Sequence, residues 1–231
     1  MKNKLVIVTS LCLLVQAPAW AEEAKDSIEP QPANNNGSFY GSLAGGVAFF
    51  HNGNVDVANN PSGDADFEFE TGSSFSLRVG YDFGSLRVEG EFGHSQADIS
   101  SLDTDTGSVS VDSQYSNNGF MANALWDFDF KPFVVSAGFG VGASMVKFDQ
   151  MDNSGFIAVA KCEDTVFSGQ LILSASYNLN KNTSFGINYR YLMTSDLSDS
   201  GYVDTGGSGQ SDIDFDGVNA SMLELFVTYK F

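Results

Sequence analysis

The chain has 231 residues, enough for one domain or one barrel, with 11 Lys+Arg against 29 Asp+Glu and a formal net charge of −18. Such acidity excludes a nucleic-acid surface, because releasing counterions from phosphates requires a basic face. It likewise excludes a basic surface helix drawn to anionic lipid.

Residues 1–21 read as an export signal. Lys2 and Lys4 precede the short apolar run LVIVTSLCLLV, and Ala19 and Ala21 supply small residues for cleavage after Ala21. The run is too short to span a bilayer as a helix, and bulky Leu11 before Cys12 argues against a lipoprotein site. With the signal removed, Cys162 is the one cysteine left, so no intrachain disulfide forms. Cys162 falls in a long loop, as an inert thiol or an intermolecular partner. Residues 22–37, polar and carrying Pro30 and Pro32, read as a flexible lead-in.

From 38 to 231 the apolar residues alternate with period two, and no apolar run is long enough for a spanning helix. Eight strands are predicted. The first covers Ser38 to Phe50. The second sets Phe75, Leu77, Val79 and Tyr81 against Ser76, Arg78 and Gly80. The third sets Leu86, Val88 and Phe92 against Arg87, Glu89 and Glu91, and the fourth covers Gly119 to Phe128. The fifth sets Phe133, Val135, Ala137, Phe139, Val141 and Ala143 against Ser136, Gly138, Gly140, Gly142 and Ser144. The sixth sets Leu171, Leu173, Ala175 and Tyr177 against Gln170, Ser174 and Ser176. The seventh sets Phe185, Ile187, Tyr189, Tyr191 and Met193 against Asn188 and Arg190. The eighth is the ending, with Leu223, Leu225, Val227, Tyr229 and Phe231 on one face.

Connections alternate in length. DFGS (Asp82 to Ser85), DFDFK and NLNKNT are short; His51 to Ser74, Ser95 to Asn118, Asp149 to Asp164 and Thr194 to Ala220 are long. That alternation fits an eight-stranded antiparallel transmembrane β-barrel with short periplasmic turns and long extracellular loops. Lipid offers the backbone no partner, so the sheet must close, with its apolar face outward and its polar face in the lumen. A soluble barrel would invert those faces, yet a Gly/Ser face on the fifth strand suits a narrow filled bore better than an outer surface. Aromatic girdles are expected from Tyr81, Phe83, Trp126, Phe128, Tyr177, Tyr229 and Phe231 at the turn end. Phe49, Phe50, Phe92 and Phe148 would form the other.

LRVEGEF (Leu86 to Phe92), KPFVVSAGFGVGAS (Lys131 to Ser144), SASYNLNKNTSFGINYRYL (Ser174 to Leu192) and the closing FVTYKF (Phe226 to Phe231) carry a family likeness. In them the sequence resembles the small outer-membrane β-barrel proteins of the opacity and surface-antigen type, related in architecture to the OmpA membrane domain. The resemblance implies the outer membrane of a Gram-negative bacterium and a C-terminal strand read by the barrel-assembly machinery.

Arg78, Arg87, Glu89, Glu91, Arg190 and Glu224 are expected inside, where charges of both signs pair and plug the bore. The alternative is a small porin-like, ion-conducting channel along the same groups. Asp212, Asp214, Asp216 and Gly217 follow D-x-D-x-D-G, the opening of a calcium loop. The closing acid arrives one place late, at Glu224, so strand extension is the expectation. DTDTG (Asp103 to Gly107) reads as a hairpin tip. For catalysis only His51 and His94 are available as bases, and adjacent Ser95 points to the face opposite His94.

No catalytic, cofactor-binding or metal-ligating residue is therefore assigned, and no cofactor or enzyme activity is expected. Acids crowd the first loop (Asp56, Asp64, Asp66, Glu68, Glu70) and the fourth (Asp196, Asp199, Asp204, Asp212, Asp214, Asp216). Outer-membrane lipid, lipopolysaccharide and a host or cell-surface partner are the expected contacts of a monomer. The expected role is structural or interactive: envelope integrity, adhesion or antigenic display.

Overall fold

The computed structural model describes residues 37–231, apart from 52–53, 58–64, 105–106, 149–150, 153–157, 160–161, 198–200, 205–209 and 216. Side chains are described outside 52–67, 102–112, 149–162 and 198–216. The predicted export signal and nearly all of the predicted lead-in lie outside the described residues.

Eight long strands make the wall: β1 (Ser38–Phe50), β2 (Gly72–Asp82), β3 (Leu86–Thr104), β4 (Gly107–Phe130), β5 (Phe133–Phe148), β6 (Cys162–Asn178), β7 (Thr183–Thr194) and β8 (Ala220–Lys230). Each pairs antiparallel with the next. β8 then returns to β1, with Tyr40 opposite Lys230 and Phe50 opposite Ala220. No barrel strand is left with an unpaired edge, the condition that hydrocarbon imposes on a sheet.

Period two assigns the faces. Tyr40, Ser42, Ala44, Ala48 and Phe50 of β1 are buried, whereas Phe39, Leu43, Val47 and Phe49 between them are exposed. Leu223, Leu225, Val227 and Tyr229 of β8 are exposed around buried Met222, Glu224 and Thr228. The apolar set thus faces out and the charged set faces in, which is the membrane arrangement.

The short ends are tied locally. At Asp82–Ser85, Gly84 takes φ = 103°, open to glycine at little steric cost, and its N–H donates to Asp82 Oδ1 at 2.7 Å. Asn180 Oδ1 accepts the N–H groups of Asn182 (2.9 Å) and Thr183 (2.8 Å) in the β6–β7 turn. The β4–β5 turn carries a cis Lys131–Pro132 bond. Phe231 N–H donates to Phe39 O at 2.9 Å, and Lys230 Nζ reaches Asp82 Oδ2 at 2.6 Å, pinning the final strand into the closure.

The long ends differ from expectation. Ser95 to Asn118 is no loop: β3 and β4 continue as a hairpin of 19 and 24 residues, with a register shift between Ile99 and Ser101. Roughly 9–11 residues cross a bilayer, so these strands run well past it. Thr104 pairs with Gly107, which places the hairpin tip where DTDTG was read. The backbone also carries Cys162 into β6, opposite Phe148, instead of leaving it in the third loop.

Short strands then extend the sheet. Ala65–Phe69 pairs with β3, Asn54–Val57 with Ala65–Phe69, Gln210–Phe215 with Asn54–Val57, and Gly201–Asp204 with Gln210–Phe215. Ala158–Val159 pairs with Gly201–Asp204, and Met151–Asp152 with Ala158–Val159. All four long connections thereby share one β-sheet.

The glycines facing the bore are packing requirements. A Cβ on Gly142 would fall on the Phe120 carbonyl oxygen, with Met121 Sδ at 2.7 Å. Backbone cannot give way cheaply, so Gly142→Val is expected to destabilise the barrel by about 1–3 kcal/mol. A lowered urea midpoint in phospholipid vesicles checks it, while Gly90→Ala, whose Cβ meets nothing within 4 Å, leaves the midpoint nearly unchanged.

Candidate functional site

Alternation on six strands brings the interior polar groups together. Glu89 and Glu91, two apart on β3, project to the same side. Facing them, Arg190 of β7 pairs with Glu91 and, through Nη2, with Glu224 Oε1 of β8 at 2.7 Å. Asn123 Nδ2 donates to Glu89 Oε1 (3.1 Å) and Glu91 Oε2 (3.0 Å), and Gln170 Nε2 donates to Asn123 Oδ1 (2.8 Å). Asn188 Nδ2 donates to Glu224 Oε2 at 3.1 Å, and Tyr40 O–H donates to Glu89 Oε2 at 2.7 Å. Toward the turn end, Arg87 Nε meets Asp127 Oδ2 at 2.7 Å while its guanidinium lies 5.5 Å from the Tyr40 ring centre.

These ions are nearly dry. Stripping a carboxylate or guanidinium of water costs several kcal/mol, recovered only when a partner and hydrogen bonds replace the hydration. Glu91 and Glu224 each share Arg190 and accept an amide, so their charge is well compensated. Arg78 is less complete. Its Nε and Nη2 have no partner, and the guanidinium stacks 5.6 Å from the Phe226 ring centre. A cavity of about 20 Å³ borders Glu91, Ser144, Asn117 and Arg190. That is room for one water, and Ser144 Oγ and Asn117 Nδ2 have no protein partner there.

Above the ions the bore turns apolar, which corrects the expectation of a polar interior throughout. Phe50, Ile99, Tyr115, Met121, Val146, Phe148, Leu192, Leu197, Val218 and Met222 form one buried cluster. Tyr115 meets Phe50 and Phe148 edge-on, each at 5.0 Å between ring centres. Phe50 (8% exposed) and Phe148 (2%) therefore leave the expected outer girdle and fill the lumen. Phe50 cannot share a face with its neighbour Phe49, and Phe148 has the parity of inward Ser144 and Val146.

All six charges expected inside are inside. Sequence reasoning missed Asp127, Asn123 and Tyr40. Asp127's parity with Asn123 and Leu125 on β4 was the available signal. His94 Nδ1 lies 2.9 Å from Asn118 Oδ1, and Ser95 is buried on the opposite face, as expected. His51 does what spacing could not foretell: Nε2 lies 3.0 Å from Ser221 Oγ at the loop-end rim.

Among the acidic loops, Glu68 accepts the Ser101 hydroxyl at 2.8 Å and Asp196 Oδ1 accepts Gly217 N–H at 3.0 Å; Glu70 is exposed. Backbone register sets Asp56 opposite Asp214 and Asp66 opposite Asp103. The calcium-like stretch runs as the strand Gln210–Phe215; Asp64, Asp199 and Asp216 lie outside the described residues. Among the described residues no three His, Cys, Asp or Glu side chains are grouped to hold a metal.

Over residues 7–231 the sequence matches the family described as outer membrane protein beta-barrel domain. The outer membrane protein AlkL, solved in DMPC bilayers, is similar at 16% identity, covering 87% of this chain and 93% of its own (TM-score 0.52). A major outer membrane protein from Thermus thermophilus is similar at 14% identity, covering 84% and 100% (TM-score 0.51). Neisserial surface protein A is 18% identical, covering 84% and 99% (TM-score 0.48). At these identities the likeness to AlkL and to the Thermus protein is one of fold. No curated protein sequence matches the chain.

Proposed function

Because the chain belongs to the outer membrane protein β-barrel family and resides in the Gram-negative outer membrane, we propose that it is a surface protein with a structural and interactive role, without chemistry or conduction in its bore. The observation that carries this reading is the double seal of the lumen. An ion entering from the turn end meets the Arg190–Glu91–Glu224 cluster and then the apolar plug around Tyr115. Shedding hydration against that plug has no compensation. Eight strands leave no spare bore around either layer.

Material beyond the membrane is then the part free to act. Strand pairing ties all four long connections into one sheet, a scaffold able to hold acidic segments in fixed register. The contact favoured is a cationic or polar cell-surface partner, with lipopolysaccharide around the rim. Residues 1–21 act as the cleaved export signal, 22–37 as a tether, and the C-terminal strand as the segment read during barrel assembly; the protein acts as a monomer.

Cells displaying the full barrel are expected to attach to host-cell or neighbouring-cell surfaces. Attachment falls when residues 198–216 are replaced by a short Gly/Ser turn, while heat-modifiable gel mobility stays that of a folded barrel. Discrete conductance steps in planar bilayers, with attachment unchanged by the deletion, would overturn the reading in favour of a channel.

A further inference from the structure

The outer face of the barrel carries a serine hydroxyl beside an imidazole. Ser221 is the second residue of β8 and lies on the lipid-facing side, opposite Phe49 of β1 and Tyr191 of β7. β8 has 11 residues, just the length that crosses hydrocarbon, which sets Ser221 at the outer boundary between acyl chains and headgroups. His51 follows β1, and its N–H donates to Asn219 O at 2.8 Å, so the imidazole is carried on a backbone fixed by the barrel. Its Nε2 stands 3.0 Å from Ser221 Oγ. The ring leans on Tyr191, 5.8 Å between centres. Tyr189 brings its hydroxyl to 3.2 Å from the same Ser221 Oγ. Phe49 beside Ser221, and Val47 and Leu223 one step further into the membrane, are exposed on the apolar face.

We propose that Ser221, His51 and Tyr189 form a hydrolytic site for carboxylic esters of acyl chains in the outer leaflet. A serine hydroxyl within hydrogen-bond reach of a histidine is the arrangement that activates an otherwise weak nucleophile. With the neutral imidazole protonated on Nδ1, Nε2 accepts the Ser221 proton as Oγ bonds to the ester carbonyl carbon. The carbonyl electron pair moves onto oxygen, where the Tyr189 hydroxyl donates to it. The carbon–oxygen ester bond then breaks, and the leaving alcohol takes the proton from His51. Water, deprotonated by His51 in turn, cleaves the acyl-serine, releases a carboxylic acid and restores Ser221. No oxidant, metal or cofactor enters the balance. Apolar Val47, Leu223 and Phe49 hold the acyl chain, and the rim's depth presents its ester to Ser221.

Full-length barrel, refolded in phospholipid vesicles, is expected to hydrolyse p-nitrophenyl acyl esters and to form one fluorophosphonate adduct on the peptide bearing Ser221. Ser221→Ala abolishes both, and His51→Gln lowers kcat by about 10²-fold or more. Tyr189→Phe lowers kcat by about 10²-fold with KM little changed, as expected for a transition-state donor. Heat-modifiable mobility of each variant separates lost chemistry from lost fold. Should the folded chain release p-nitrophenol no faster than folded Ser221→Ala, or the adduct fall on another residue, the proposal is overturned and the hydrogen bond only steadies the rim. Cell attachment by Ser221→Ala, expected to be unchanged, keeps this outcome distinct from the role of the loops.

Discussion

Replacing Arg190 by Leu is expected to destabilise the barrel by about 3–5 kcal/mol, the cost of leaving buried charge without its partner. Arg190 is the cation shared by Glu91 and Glu224, and all three side chains are almost wholly withdrawn from solvent. Without it the two carboxylates remain together in a bore that water scarcely enters. Asn123, Gln170 and Asn188 then supply the remaining hydrogen bonds, and the charge of buried Arg78 offsets Glu224 alone, which leaves Glu91 to neutral amides. Urea unfolding in phospholipid vesicles measures the loss. Adding Glu91→Gln and Glu224→Gln to Arg190→Leu should return most of it, because the liability is the unpaired charge and not the missing volume. An Arg190→Leu barrel as stable as the parent would mean that the cluster is hydrated and the bore is open.

Leu225 provides the second large effect. It lies midway along β8, faces outward and is 71% exposed. On a protein in water, a change at so exposed a site stays within about 0.5 kcal/mol. In a bilayer the same position is the hydrocarbon midplane, where Leu225→Arg is expected to cost about 2–4 kcal/mol. Leu225→Ala should cost much less. The contrast, measured by reversible unfolding in vesicles, tests the outward direction of the apolar face independently of any loop. A neutral Leu225→Arg would place water on that face.

Much of this was legible in the residues because a strand has only two sides. Once Phe185, Ile187, Tyr189 and Tyr191 alternate with Asn188 and Arg190, the side of every residue on that strand follows from parity. The three short turns were legible as the short segments DFGS, DFDFK and NLNKNT between alternating runs, and Gly84 and Asn180 bend the first and third by local geometry. Parity also held clues that went unread. Phe50 and Phe148 sit at positions that must turn inward, yet their aromatic character suggested an interface. Composition misled at Ser95 to Asn118, where polar residues outside the membrane suggested a loop although the backbone continues as paired strand. Strand pairing does not require apolar side chains, only a partner.

The candidate sites depended on distance in space. His51 and Ser221 are separated by 170 positions, and Arg190 and Glu91 by 99. By itself, the sequence determined the barrel, its number of strands, its oily outside and the six charges within, because alternation and turn chemistry act between near neighbours. Only closure of the sheet decided which charge meets which, where the bore becomes apolar, and that a histidine after the first strand would stand beside a serine at the start of the last. Those contacts depend on register between strands remote in the chain, and register is set by the whole circumference at once.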